Sequence, residues 1–135
     1  MSPSRPNAGN LFDDLSQHSH DEQFIDLFSG PGIRIERIVS TGQASPPDSW
    51  CDQAWTEWVL VVSGAAAILF EGEAEPRRLR AGDYLLIPAH RRHRVAWTDR
   101  DVPTIWLAVH IGEPAASAIP SARQPNSGRA SGFPD

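Results

Sequence analysis

The pattern of apolar and polar positions changes character at Gly30-Pro31-Gly32. Before that point, Ser19-His20-Asp21-Glu22 has the form of a capping box, in which serine and glutamate side chains satisfy the free N–H groups of a helix start. Phe24, Ile25, Leu27 and Phe28 then supply an apolar face at helical spacing. The pattern therefore predicts a short helix that Gly30-Pro31-Gly32 stops, with Leu11, Phe12 and Leu15 forming another helical turn upstream.

From Ile33 the period becomes two. Residues 33–40 alternate, and further strands are predicted at 54–62, 65–70, 77–80, 84–87, 93–98 and 104–111. Turn signals separate them: Gly64, Gly72, Ala81-Gly82-Asp83, Pro88 and residues 99–103, with a longer loop at 41–49 that carries Pro46-Pro47. Seven short strands with no intervening helix indicate an all-β antiparallel sandwich or barrel. Two of them, around Trp58–Val62 and Ile105–Val109, are apolar on both faces. An antiparallel strand with one wet face should alternate. Something must therefore cover the outer side, either the N-terminal helix or a second subunit, and the expectation is a homodimer built sheet to sheet.

Both ends read as disordered tails, because residues 1–10 and 113–135 are rich in Pro, Ser, Ala and Gly and have little to bury. That leaves a helical segment at 11–32 and a β domain at 33–112. The 135 residues, 40% of them hydrophobic, suffice for one packed domain. No apolar run approaches the ~20 residues of a membrane-spanning helix, and the first ten residues lack a secretory apolar stretch, so a cytoplasmic protein without membrane partners is expected. Cys51 is the only cysteine, which excludes an internal disulfide and CxxC zinc modules. A net charge of −5 argues against nucleic-acid binding. All 12 basic residues are arginine, which removes Schiff-base and P-loop lysine chemistry.

Two spaced motifs carry the candidate chemistry. Glu57 is followed after six residues by Gly64, and Gly82 is followed after five by Pro88-Ala89-His90 and after two more by His93. Together with the runs Asp52-Gln53-Ala54-Trp55-Thr56-Glu57-Trp58-Val59 and Pro88-Ala89-His90-Arg91-Arg92-His93-Arg94-Val95, these motifs resemble the cupin superfamily, in particular its small single-domain members. The resemblance spans roughly residues 33–111. It implies a jelly-roll barrel holding a divalent ion (Fe, Mn, Ni or Zn) and a small polar molecule, as in dioxygenases, isomerases and lyases of this superfamily.

The first motif is degenerate. Its usual HxH pair is replaced by Cys51 and Gln53, six and four residues before Glu57, and His90 stands where the second motif has glycine. The resemblance implies metal ligation by Glu57 and His93, which would also serve as catalytic groups, with Gln53 as third ligand. Asp52, His90 and His110 compete for a fourth place. Cys51 reads as a small buried residue. Arg91 at the barrel mouth and Trp97 on strand 93–98 are the expected contacts to a substrate. For His110 the sequence leaves two registers open. If Thr98 pairs with Pro103, His110 shares the side of His93, and if Thr98 pairs with Thr104 it points away. The missing histidines motivate an alternative, a metal-free barrel that binds a small ligand or acts as an accessory module.

Overall fold

The computed structural model describes residues 6–15 and 20–113, and its eight strands are β1 (Gln23–Gly30), β2 (Ile33–Ser40), β3 (Thr56–Ser63), β4 (Ala65–Phe70), β5 (Arg77–Arg80), β6 (Tyr84–Ile87), β7 (His93–Thr98) and β8 (Thr104–Ile111). They form two antiparallel sheets, one of five strands in the order β1-β2-β8-β3-β6 and one of three in the order β5-β4-β7. From Ile33 onward the expected strands are realised with boundary changes only at β3.

The N-terminal helix is corrected. Phe24, Ile25, Leu27 and Phe28 lie on β1, which pairs with β2 from Gln23 opposite Val39 to Gly30 opposite Ile33. Their spacing suits either element. Pairing with β2 satisfies the backbone, and a register shift between Asp26 and Phe28 absorbs the residue that breaks strict alternation. Residues 11–14 form a turn, and Ser19 of the proposed capping box lies outside the described residues, as do 1–5, 16–18 and 114–135, where most of the expected tails fall. No described helix is long and apolar enough to cross a membrane.

Inward-facing residues of both sheets meet in one core, with Ile38, Val59, Val61, Ile87, Trp106 and Ala108 from the large sheet against Ala66, Ile68, Phe70, Leu79 and Val95 from the small one. Gly64 joins the two sheets where the chain passes Thr104. Its φ is +92°, and a Cβ there would lie 2.6 Å from the Thr104 Cα, so glycine is required on both counts. β7 and β8 do not pair with each other. Residues 99–103 carry the chain from one sheet to the other, so neither hairpin register considered for His110 applies.

The outer face of the five-stranded sheet is mostly apolar, with Arg37 on β2 an exception. One row runs Phe28, Ile35, Val109, Trp58, Leu86 through all five strands, with Phe28 and Leu86 exposed. β1 extends the sheet at its edge and leaves this row open. Residues 6–15 reach only the β1–β2 end, where Arg37 donates to the carbonyls of Leu11 and Asp13.

Candidate functional site inside the barrel

Alternation on β3 sends Glu57 inward with Val59 and Val61, and alternation on β7 does the same for His93 and Val95. Glu57 is fully buried and His93 is 1% exposed. The His93 Nδ1 lies 2.9 Å from the Arg91 carbonyl, which can only accept, so in the neutral ring Nδ1 carries the proton and Nε2 keeps a lone pair. That Nε2 has no hydrogen-bond partner in the protein, and neither do Oε1 and Oε2 of Glu57. Three buried acceptor atoms are thus open, an arrangement that native interiors rarely leave without a ligand, water or ion.

His110 also points inward, opposite Glu57 across the β3–β8 ladder. Its ring is fully engaged. The Trp55 indole N–H donates to Nδ1 at 2.9 Å. An indole only donates, so the proton of neutral His110 sits on Nε2 and is donated to Glu36 Oε1 at 2.8 Å. Glu36 in turn lies 2.9 Å from Arg34 Nη1. Arg34 also makes a forked contact with Glu113 at 2.7 and 3.1 Å. Burial works against the Arg34 charge, but the hydrogen bond to Glu113 and the charges of Glu36 and Glu113 outweigh it and hold the guanidinium further above its ordinary range. The chain of Trp55, His110, Glu36 and Arg34 lies outside both motifs. The alternation of Ile33 and Ile35 with Arg34 and Glu36 points Glu36 the other way, and only pairing with β8 puts Glu36 on the side of Ala108.

The remaining candidates separate. Gln53 is buried, and its backbone carbonyl accepts from the His90 backbone N–H. Cys51 is buried opposite His93 in an isolated bridge, with backbone hydrogen bonds in both directions. Asp52 sits at the rim, half exposed and 2.8 Å from His90 Nδ1. His90 takes a positive φ of 64°, the conformation that explains glycine at this place in the resembling motif. Arg91 lies with its guanidinium 4.9 Å from the Phe70 ring centre and donates to the Glu71 carbonyl. Trp97 faces outward and is 41% exposed, a correction to its expected place in the cavity. The cause is a register shift: Val95 pairs with Ile68 while Trp97 pairs with Ala67, so Ala96 is an extra residue that reverses the alternation.

A resident divalent ion would need several open donors converging at one place. Open lone pairs on Glu57 and His93 are of the right kind. Zinc sites use three or four such ligands. His110 has both nitrogens engaged and Asp52 is at the rim. Among the described residues, no three His, Cys, Asp or Glu side chains come together as a metal set. Glu57 and His93 thus offer two open donors, and the buried Gln53, the expected third ligand, is the residue on which a resident ion would depend.

Comparison with known proteins agrees with the fold. A structure from Ralstonia eutropha JMP134, named a "putative mannose-6-phosphate isomerase", is 55% identical, covers 80% of this chain and 100% of its own, and superposes with a TM-score of 0.78. A cupin superfamily protein from Desulfitobacterium hafniense DCB-2 is 17% identical over 73% of this chain and 84% of its own, with a TM-score of 0.61. A double-stranded β-helix protein from Klebsiella pneumoniae is 15% identical over 83% and 95%, with a TM-score of 0.66. These last two speak to fold alone. No curated protein matches the chain. The family model described as "Cupin domain" matches residues 36–110, more than half of the chain, and the chain therefore belongs to the cupin family.

Proposed function

We propose that this cupin binds a small, uncharged or cationic polar molecule inside the barrel, and that it does so without a resident metal. One observation carries the reading: every open polar atom at the site, Glu57 Oε1 and Oε2 and His93 Nε2, is an acceptor. Such a site is completed by hydrogen-bond donors, as a polyhydroxylated molecule or an amine would supply. It repels a phosphate group, since Arg34 is already engaged with Glu36 and Glu113. Bound there, a ligand C–H or O–H would face the Glu57 carboxylate as a potential base, with His93 Nε2 as a second acceptor.

A second reading, a metal-dependent isomerase, is favoured by the name of the Ralstonia relative at 55% identity. Elemental analysis of protein purified without chelator, beside His93→Ala, separates the two. The metal-free reading expects well under one ion per chain in both proteins. It also expects thermal stabilisation by a polyol from a screening panel that EDTA leaves intact and Glu57→Gln removes. A near-stoichiometric ion lost in His93→Ala overturns it and establishes the second reading.

A further inference from the structure

Outside the barrel, the reversal at Ala96 builds a second concavity. Across the small sheet, Ala67 on β4 pairs with Arg78 on β5 and with Trp97 on β7. The three residues form one row on the outer face, with the smallest in the middle. Arg78 and Trp97 are thereby held two strand spacings apart, about 10 Å, over an alanine floor. Ala96 and the Glu75-Pro76 corner close the ends of a cavity of about 440 Å³. That volume is ordinary for a small-molecule pocket. Arg78 makes no ion pair among the described residues, unlike Arg77, which is tied to Glu73.

We propose that this pocket binds a small aromatic carboxylate, with its ring on the Trp97 indole and its carboxylate on the Arg78 guanidinium. A planar fork and an exposed planar ring facing each other suit a planar anion. Glu75 at the edge disfavours a phosphate dianion and leaves room for one negative charge. The site shares no residue with Glu57 and His93, so it stands or falls independently of the function proposed for the barrel.

The test is a titration of ¹⁵N-labelled full-length protein with benzoate, read at the Trp97 indole N–H, which is identified by its loss in Trp97→Phe. Benzamide and acetate serve as probes of the ring and the charge alone. The expected result is a saturable shift of that resonance and of the Ala67 and Ala96 amides. Arg78→Ala should weaken binding about tenfold, the worth of one charge-assisted interaction, and both control probes should bind more weakly than benzoate. Glu57→Gln should leave the titration unchanged. A shift that does not saturate, that maps elsewhere, or that persists undiminished in Arg78→Ala overturns the proposal.

Discussion

Glu57 and His110 face each other across the β3–β8 ladder, yet the His110 ring turns both its hydrogen bonds away, to Trp55 and Glu36. The neighbour best placed to donate to Glu57 therefore has nothing to give it. On the other side of the ladder stands Ile87, which is apolar. The open carboxylate is a consequence of how its neighbours are bonded.

A carboxylate kept this way costs stability. Glu57→Gln removes the desolvation of a charged form while preserving shape, and should raise the unfolding free energy by about 1–3 kcal/mol. Urea denaturation checks it, and a loss of stability would show that Glu57 has a partner in solution.

The buried chain and the rim pair should respond very differently to the loss of one member. Glu36→Ala leaves the buried His110 Nε2–H without its acceptor, while Arg34 keeps Glu113, and is expected to cost about 1–3 kcal/mol. Asp52→Asn breaks a pair that is half exposed on both sides and should cost less than about 1 kcal/mol. Thermal and urea unfolding of the two variants gives the comparison directly.

Gly64→Ala and Gly72→Ala both place an alanine at φ near +92°, which alone costs about 1–2 kcal/mol. Only at Gly64 does the new Cβ meet backbone, and this adds about 1–3 kcal/mol of overlap. Gly64→Ala should be clearly the less stable of the two by calorimetry. Equal stabilities would mean that Thr104 gives way freely.

The uncharged row from Phe28 to Leu86 can be matched by its own copy about a two-fold axis, and a homodimer through this face is expected. Light scattering behind a sizing column should report twice the monomer mass. Leu86→Arg would place two charges in the seam and should give the monomer. A monomeric wild type would remove the second copy as the cover of this face.

The sequence made the barrel legible because alternation, turn residues and the two motifs all agree from Ile33 onward. Glu57 and His93 were legible for the same reason, since period two sends both inward. Three places resisted. Phe24 to Phe28 fit a helix as well as a strand, and only pairing with β2, a non-local event, decides. Trp97 could not be placed because nothing in the local pattern marks Ala96 as an extra residue. His110 was weighed against β7, the adjacent strand in sequence, whereas β2 and β3 are its partners in space.

The extra residue at Ala96 also separates two registers within one strand. Up to Val95, side chains of β7 answer to the interior, and from Trp97 the outward surface follows its own register before Thr98 returns to the core. Substitutions around the outer pocket can therefore accumulate without disturbing His93. Deleting Ala96 would end that independence by swinging the indole into the core. One extra residue gives a single short strand two registers, one answering to the core and one to the outer surface.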